Sequence, residues 1–305
     1  MKHQPVIATE KRNPRTAAID TLSSLEIVTL INEEDAKVAE AVRQTLPQIA
    51  GAVDIIVAHL KQGGRLLYFG AGTSGRIGVL DASEIPPTYN TPPEMVQGII
   101  AGGESALRKS AESAEDNAEA GAALVQSLHI NKKDTVVGIA ASGNTPWALG
   151  AIAEAKIRGA ATIGLTCNPN SKLAQAADIA IVPVVGPEVI AGSSRMKAGT
   201  AQKMVLNMLS TASMVQLGKV YGNLMVDVRP TNAKLRQRAA LILQEAADVD
   251  AEIARQTLKT TDFQIKPALV MLLTGASLDI AQQLLRKNDD SVRNAVARFE
   301  QDSAP

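Results

Sequence analysis

The chain has few aromatic residues, a single cysteine and no net charge. Aromatic residues make up 2% of its 305 residues, too few for a platform that stacks nucleic-acid bases. Its 31 basic and 31 acidic residues cancel, which excludes a strongly basic nucleic-acid surface. Because Cys167 is the only cysteine, an intrachain disulfide is impossible and a reducing compartment fits. Cys167 is either a nucleophile or a small buried hydrophobe, and the lack of a histidine in a loop beside it favours the buried role.

Long apolar runs are also missing. No run of 18 apolar residues is free of charge, and the first residues lack the apolar core of a signal peptide. We therefore expect a cytoplasmic location. Hydrophobic residues reach 46% and charged residues 20%, which is typical of a globular protein with a sizeable core.

Short apolar runs alternate with helical stretches through the middle of the chain. Five runs predict buried strands: Leu66–Phe69, Val96–Ile100, Thr135–Ala140, Ala161–Thr166 and Ile179–Val182. The predicted helices between them include Ile77–Ala82, a long helix over Ala106–Leu128, and Pro146–Arg158. This alternation predicts parallel βαβ units with helices on both faces of a sheet. The expected fold class is α/β, a three-layer αβα sandwich with a mostly parallel five-stranded sheet.

Further helices lie before and after this region. Residues 1–22 are polar and predict an arm, while 24–60 predict two helices broken near Pro47. Met196–Leu217 predicts a long apolar helix that is central or at a subunit interface. From Arg229 onward the pattern is helical only. It includes three short helices, over Pro267–Thr274, Leu278–Arg286 and Val292–Phe299.

These patterns predict three regions. Residues 1–50 form an N-terminal arm and helix, and residues 51–228 form the α/β domain. Residues 229–305 form a helical C-terminal region that contains a small three-helix module from about residue 265.

The turn after the first strand is rich in glycine and hydroxyl groups. Its sequence from Gly70 to Arg76 fits the G-x-G-x-x-G pattern of dinucleotide sites, which alone is a weak signal. An acidic residue at the end of the next strand is missing, because Glu94 precedes that strand. Thr73 and Ser74 can instead donate to phosphate oxygens, together with N–H groups at the start of the following helix. A tight turn with a hydroxyl cap is the alternative.

A second such turn, Ser142-Gly143-Asn144-Thr145-Pro146, follows the third strand. Thr145 fits a helix N-cap and Pro146 the first helical position. Ser142, Asn144 and Thr145 are therefore expected at the carboxyl edge of the sheet, where open α/β folds bind ligands. Two such turns in one sheet favour a phosphate ligand. Since neither contains Gly-Lys-Ser/Thr, we predict a monophosphate rather than a nucleoside triphosphate.

Two groups of carboxylates follow the first turn. Pro86 and Pro87 are expected to end a helix and hold Glu84 at a rigid chain reversal. There it could act as a general acid or base if desolvated, and a surface glutamate is the alternative. On the long predicted helix, Glu112, Glu115 and Glu119 share one face. Such a face is ordinarily solvated, and periodicity singles out none of them.

The stretch from Gly186 to Thr200 mixes glycine, serine and basic residues before the long apolar helix. One interpretation is a helix start capped by Ser193 or Ser194. The other is a ligand loop at a helix N-terminus.

These stretches together resemble the N-acetylmuramic acid 6-phosphate etherases, a family of the sugar isomerase (SIS) superfamily. The resemblance runs nearly end to end, through Thr9–Asn13, Gly70–Arg76, Asp81–Glu84 with Pro86-Pro87, Gly102-Gly103, Ala114–Asp116, Ala141–Pro146 and Gly186–Lys203. The last of these segments is shared with the glucokinase regulatory proteins. Two departures are Ser113, where a glycine is usual, and Asn144, where a basic residue is common.

The resemblance implies an SIS phosphosugar-binding domain over 51–228, a homodimer, and a role in recycling cell-wall sugars. It implies cleavage of N-acetylmuramic acid 6-phosphate to N-acetylglucosamine 6-phosphate and D-lactate, with Glu84 and Glu115 as the acid/base carboxylates. The implied substrate- and phosphate-binding residues are Gly72, Thr73, Ser74, Ser142, Asn144, Thr145, Glu188, Ser193, Ser194 and Lys197. No metal or cofactor is implied, and the sequence has no His/Cys cluster with ligand spacing. Individual roles for Arg76, Arg195 and Lys197 stay unassigned.

The implied reaction suits two carboxylates. Removing the proton at carbon 2 of the open-chain aldehyde gives an enolate that expels the lactyl oxygen from carbon 3, and water then adds there. We hypothesise that Glu84 protonates the leaving oxygen and activates water, while Glu115 handles the carbon 2 proton. A non-catalytic phosphosugar sensor and an aldose–ketose isomerase are the alternatives. The presence of both glutamates and of a single SIS unit favours an enzyme over the sensor.

Overall fold

The computed structural model describes residues 8–109, 111–228, 230 and 232–303. Residues 1–7 of the predicted arm, and Arg229, where the pattern changes to helices, lie outside the described residues. The chain divides into two compact units. The first holds the residues up to 83 together with 93–210, and the second holds 84–92 together with 211 onward.

Helices and strands alternate through the first unit and give way to helices in the second. The sequence begins with α1 (Ser24–Asp35), α2 (Val38–Arg43), α3 (Leu46–Lys61), β1 (Leu66–Gly70), α4 (Gly72–Tyr89), β2 (Val96–Ile100), α5 (Glu112–Glu115), α6 (Ala118–Ser127) and β3 (Thr135–Ile139). It continues with α7 (Pro146–Ile157), β4 (Ala161–Leu165), α8 (Lys172–Ala176), β5 (Ile179–Ile181), α9 (Lys197–Gln216), β6 (Val220–Tyr221) and β7 (Leu224–Met225). Five helices complete it: α10 (Ala233–Ala247), α11 (Ala251–Thr260), α12 (Ile265–Thr274), α13 (Leu278–Lys287) and α14 (Val292–Ser303).

The sheet of the first unit is five-stranded, with the order β2-β1-β3-β4-β5 and parallel pairing throughout. Alternate residues of β1 face opposite sides. Leu67 and Phe69 join an apolar cluster with α6 and α7, where the rings of Phe69 and Trp147 lie 5.5 Å apart. Tyr68, on the other face, donates its hydroxyl to Asp81 of α4. Helices therefore cover both faces, which confirms the predicted three-layer α/β fold.

The N-terminal region differs from its prediction in two ways. Three helices, α1 to α3, replace the expected two. The predicted break near Pro47 separates α2 from α3, with Pro47 in the first turn of α3, and a second, unpredicted break at residues 36–37 separates α1 from α2. The described part of the arm is also packed rather than free. Thr9, Asn13 and Thr16 are buried, and the Thr16 hydroxyl donates to the carbonyl of Val189 at 2.7 Å.

The prediction that Pro86 and Pro87 end a helix is wrong, because α4 continues through both to Tyr89. Each proline removes one N–H from the helical hydrogen-bond pattern, but both stand in the last turns. The backbone N–H of Asn90 still donates to the carbonyl of Pro86 at 2.9 Å. Glu84 consequently lies on a helix and not at a chain reversal.

The single helix predicted over Ala106–Leu128 is also wrong. The chain forms a short 3-10 turn, the four-residue α5 and the separate α6. Asn117 causes the last break, because its side chain leaves the helical pattern to cap α6 by accepting from the N–H of Ala120. Glu119 therefore belongs to a different helix from Glu115, and the shared acidic face does not exist.

The second unit has a helical core built from α10 to α14 around residues such as Leu243, Leu258 and Leu269. The three short C-terminal helices predicted from sequence are α12, α13 and α14. The hairpin of β6 and β7 was not predicted. Within the described residues, no single helix is long and apolar enough to cross a membrane. The helices α12 and α13 reach that length and composition only together, across a 108° bend.

Candidate active site

The two predicted phosphate loops start from neighbouring strands. Strands β1 and β3 lie side by side in the sheet, and Gly70 at the end of β1 pairs with Ile139 at the end of β3. The strand order reverses direction at this pair, since β2 lies on one side and β4 and β5 on the other. Open α/β sheets bind ligands in the crevice at such a switch point. The fold therefore places both loops where a ligand site is expected.

The first loop turns directly from β1 into α4. A methyl group on Gly75 would lie 2.5 Å from the carbonyl oxygen of Gly70, so only glycine permits this close approach. Thr73 is half-buried and Ser74 is 8% exposed, and both lie in the first turn of α4, where the N–H groups before Gly75 lack a partner in the preceding turn. The Ser74 hydroxyl donates to Oε1 of Gln202 at 3.0 Å. This arrangement offers N–H groups and the Thr73 hydroxyl to an anion, while the Ser74 proton is taken by Gln202.

Arg76 follows the first loop but does not extend freely from it. Its guanidinium donates to the carbonyls of Ala106 at 2.7 Å and Leu107 at 3.0 Å. Arg76 therefore holds the segment after β2. Arg195, another cation without an assigned role, is exposed.

The second loop is shaped by Gly143, whose φ is +69°. A methyl group there would lie 2.3 Å from the hydroxyl oxygen of Ser171, so the loop requires glycine for two reasons. Asn144 accepts the backbone N–H of Lys172 at its Oδ1, and its own N–H donates to Ser142 Oγ. Thr145 occupies the N-cap position and α7 begins at Pro146, as predicted, but the Thr145 side chain makes no capping hydrogen bond.

The third segment ends in a cap that the sequence did not predict. Glu188 is fully buried, and its carboxylate accepts the backbone N–H groups of Lys197 at 3.0 Å and Ala198 at 2.9 Å. Of the two interpretations of this segment, a helix start capped by Ser193 or Ser194 is wrong, because the Glu188 carboxylate takes the N–H groups of Lys197 and Ala198. Burial raises the pKa of Glu188, and these hydrogen bonds and the charge of Lys197 oppose that rise.

Lys197 points into the interior. Its ammonium lies 2.7 Å from Oε2 of Glu34, and both side chains are buried. Arg15 and Lys37 also pair with Glu34. Burial alone would raise the pKa of Glu34, but the hydrogen bonds from Lys197 and Lys37 hold it at about 2.

In this structure neither Glu188 nor Lys197 reaches solvent, and contact of either with a substrate stays a prediction. Ser193 and Ser194 are half-buried in the loop between them. Two contacts tie this loop to the N-terminal arm. The N–H of Gly192 donates to the carbonyl of Thr9, and the Thr16 hydroxyl donates to the carbonyl of Val189.

The two predicted catalytic carboxylates lie in different units of the chain. Glu84 is an exposed residue of α4 within the part that belongs to the second unit. Glu115 is half-buried at the end of α5 in the first unit. Their roles stay predictions.

A buried carboxylate that sequence reasoning missed is Asp81. It accepts hydrogen bonds from Tyr68 at 2.9 Å, Asn207 at 2.6 Å and Ser210 at 3.1 Å, and so joins α4 to β1 and α9. Burial raises the pKa of Asp81, against the effect of its three donors. Asp81 belongs to a segment that carries the family resemblance, but spacing gives it no role, because its partners are 13 to 129 residues away.

Cys167 is buried, which confirms that it is a small interior residue. Burial raises the pKa of its thiol to about 12, with a further contribution from the charge of Glu188. Among the described residues, no group of three or more His, Cys, Asp or Glu side chains is placed to hold a metal ion.

The second unit contains a cavity of about 750 Å³. On its wall Lys266 pairs with Asp227 at 2.7 Å and Asp290 at 2.6 Å, and the guanidinium of Arg236 lies 4.7 Å from the ring centre of Phe263. None of the predicted ligand residues lines it.

The parallel sheet, its switch point and the paired hydroxyl loops define an open α/β domain with a ligand site at the switch point, and two family models identify this domain as an SIS domain. Residues 48–156 match the glucokinase regulatory protein N-terminal SIS domain, and residues 114–212 match the SIS domain. The N-acetylmuramic acid 6-phosphate etherase of Photorhabdus laumondii subsp. laumondii is 55% identical over 291 residues, which cover 95% of this chain and 97% of that protein. The etherase of Actinobacillus pleuropneumoniae serotype 5b is 56% identical over 288 residues, which cover 94% of this chain and 95% of that protein. The chain belongs to the N-acetylmuramic acid 6-phosphate etherase family, as its sequence motifs predicted.

Among solved structures, a phosphoheptose isomerase from Francisella tularensis is 20% identical, with a TM-score of 0.49, over 62% of this chain and 100% of its own.

Proposed function

We propose that this chain is a carbon–oxygen lyase that cleaves the D-lactyl ether of N-acetylmuramic acid 6-phosphate. The products are N-acetylglucosamine 6-phosphate and D-lactate, as expected of an enzyme that recycles cell-wall amino sugars. The observation that carries this proposal is identity of 55% to an etherase over 95% of the chain. The hydroxyl loops at the switch point support a phosphosugar ligand.

In this proposal the phosphate lies against the start of α4. The free N–H groups of that first turn and the hydroxyls of Thr73 and Ser74 are its donors, and Gly72 keeps the backbone accessible. Ser142, Asn144 and Thr145 contribute from the neighbouring loop. Thr145 is suited to this because its hydroxyl is not used by the helix cap.

The Gly186-to-Thr200 segment contributes to substrate binding in two ways. Ser193 and Ser194 supply hydroxyls to the substrate. Glu188 and Lys197 hold the segment from inside, through the first turn of α9 and through Glu34.

Glu84 and Glu115 carry out the acid and base steps. Glu115 removes the proton at carbon 2 of the open-chain sugar, and Glu84 protonates the lactyl oxygen as its bond to carbon 3 breaks. Glu84, now a carboxylate, takes a proton from the water that adds at carbon 3, and Glu115 returns a proton to carbon 2. Each group contributes roughly 10²–10⁴-fold. The homodimer implied by the family is part of the proposal, with light scattering of the purified protein as its test.

Lactate release tests the reaction. Purified protein is incubated with N-acetylmuramic acid 6-phosphate, and D-lactate is measured with a coupled dehydrogenase. We expect lactate from this substrate and much less from N-acetylmuramic acid without the phosphate. Conversion of fructose 6-phosphate without lactate release would indicate an isomerase instead, and binding without turnover would indicate a sensor. Glu119→Gln, at an exposed glutamate of α6, is the matched control for Glu84→Gln and Glu115→Gln.

A further inference from the structure

A buried amide lies behind the first loop. Gln202 is 1% exposed and stands in the second turn of α9. A methyl group on Gly199, one turn earlier, would meet Thr73 Cγ2 at 3.5 Å, so α9 packs directly against the loop. The Oε1 atom of Gln202 lies 3.0 Å from Ser74 Oγ. Its Nε2 atom is buried and has no hydrogen-bond partner among the described residues.

This arrangement has a chemical consequence for Ser74. A serine hydroxyl has one proton to donate and two lone pairs that accept. When the Oε1 atom of Gln202 faces Ser74, the Ser74 hydroxyl donates its only proton to that oxygen. No proton then remains for an anion at the loop, and the Gln202 N–H groups are left buried without an acceptor, which is rare in proteins.

A half-turn of the amide exchanges its oxygen and nitrogen. Nε2 then donates to Ser74 Oγ, and the Ser74 proton is free to point toward a ligand. The group left without a partner becomes a carbonyl oxygen, which proteins tolerate better than a buried N–H. A bound phosphate, which accepts hydrogen bonds and donates none when fully ionised, favours this second orientation.

We propose that Gln202 is a positioning residue whose amide directs the hydroxyl proton of Ser74 toward a bound phosphate oxygen. This inference rests on the proposed function, because it takes the start of α4 as the phosphate-binding site. Gln202 itself does not touch the ligand.

The test compares three variants with a probe that requires no turnover. N-acetylglucosamine 6-phosphate is titrated into wild type, Ser74→Ala, Gln202→Met and the double variant, with N-acetylglucosamine as the probe without phosphate. Methionine matches the length of glutamine but cannot donate. We expect Ser74→Ala to weaken phosphosugar binding by about 10- to 100-fold, the typical effect of one hydrogen bond to a charged group. Gln202→Met should weaken it several-fold, with no effect on the sugar that lacks phosphate.

The double variant decides the mechanism. If Gln202 acts through Ser74, adding Gln202→Met to Ser74→Ala weakens binding no further. With N-acetylmuramic acid 6-phosphate as substrate, Gln202→Met should raise KM and leave kcat within about two-fold, the pattern of lost uniform binding. The proposal is overturned if the fold-losses of affinity in the two single variants multiply in the double variant. It is also overturned if Gln202→Met leaves the affinity unchanged.

A second substitution covers the case in which Gln202→Met unfolds the protein. Gln202→Glu keeps the shape and, measured at a pH high enough to ionise the buried carboxyl, can only accept, so it takes the Ser74 proton. We expect weaker phosphosugar binding than in Gln202→Met, and equal binding would contradict the proposal. If wild type releases lactate but Ser74→Ala binds the phosphosugar normally, the role of Gln202 fails and the proposed reaction stands. If wild type binds the phosphosugar but releases no lactate, the proposed reaction fails instead.

Discussion

The ammonium of Lys197 lies 2.7 Å from the carboxylate of Glu34 across 163 residues of sequence, and both side chains are almost completely buried. Two charges removed from water stabilise a fold only while they are paired. This pair joins α1 to the first turn of α9, within the Gly186-to-Thr200 segment. Its loss therefore affects both stability and the shape of that segment.

Lys197→Met should destabilise the protein by about 3–5 kcal/mol, because it leaves the buried Glu34 carboxylate without its innermost partner. The measurement is urea unfolding at pH 7. Lys156→Met is the matched control, since Lys156 pairs with Asp178 at the surface and exposed pairs contribute about 0–1 kcal/mol. Equal losses in the two variants would contradict the importance of the buried pair.

Stability should also depend on pH through Glu34. Its pKa is about 2 in the folded protein against an ordinary value of 4.5, so folding favours the ionised form. The stabilisation is complete above pH 5 and is lost as the pH falls from about 5 to 2, and its size is about 3 kcal/mol. Glu34→Gln should flatten this part of the curve of unfolding free energy against pH. A variant curve with the wild-type slope below pH 5 would refute the assignment.

Deuterium exchange separates the two proposed catalytic carboxylates. If Glu115 removes the carbon 2 proton, Glu84→Ala in deuterated water should still exchange that proton, while Glu115→Ala should lose the exchange by roughly 10²-fold or more. Mass spectrometry of recovered substrate measures the exchange. The opposite result would reverse the assigned roles.

Gly143→Ala should lower the free energy of unfolding more than Gly63→Ala does. Both positions have positive φ, +69° and +76°, so an added methyl strains both backbones by about 1–2 kcal/mol. At Gly63 nothing lies within 4 Å of that methyl, whereas at Gly143 it would meet Ser171 at 2.3 Å. We expect a further loss of about 1–3 kcal/mol and weaker phosphosugar binding only for Gly143→Ala. Thermal unfolding and titration measure the two effects, and similar values would contradict the steric argument.

Cys167 should react slowly with thiol reagents in the folded protein. Its thiol is buried and its pKa is about 12, so almost none is thiolate at pH 8. Labelling with a chromogenic disulfide should therefore require unfolding, and Cys167→Ala should keep lactate release. Rapid labelling of the native protein would show that the thiol is accessible.

The sheet and its loops were predictable because each depends on local sequence. Apolar runs such as Val96–Ile100 are long enough for a buried strand, and this one matches β2 residue for residue. The loops after β1 and β3 were recognisable because their glycines and hydroxyls follow strands directly. The two-residue strands of the hairpin are too short to leave such a pattern.

Two helix predictions were wrong because one local signal was weighed without another that acts at the same position. Pro86 and Pro87 usually end a helix, but in the last turns of α4 they cost few hydrogen bonds, and the helix continues. Asn117 broke a helix that hydrophobic spacing alone had joined. The interior roles of Glu188 and Lys197 were not predictable, because one caps a helix nine residues away and the other pairs 163 residues away.

The packed N-terminal arm has a consequence for synthesis on the ribosome. The Thr16 hydroxyl donates to a carbonyl 173 residues later, and Glu34 pairs with a lysine 163 residues later, so both are made well before their partners. At about 5–20 residues per second, that interval is roughly 10–30 s. During it the side chains of Asn13 and Glu34 stay in water, because the interior that will enclose them has not been made. The arm is thus made well before the segment that provides its native contacts.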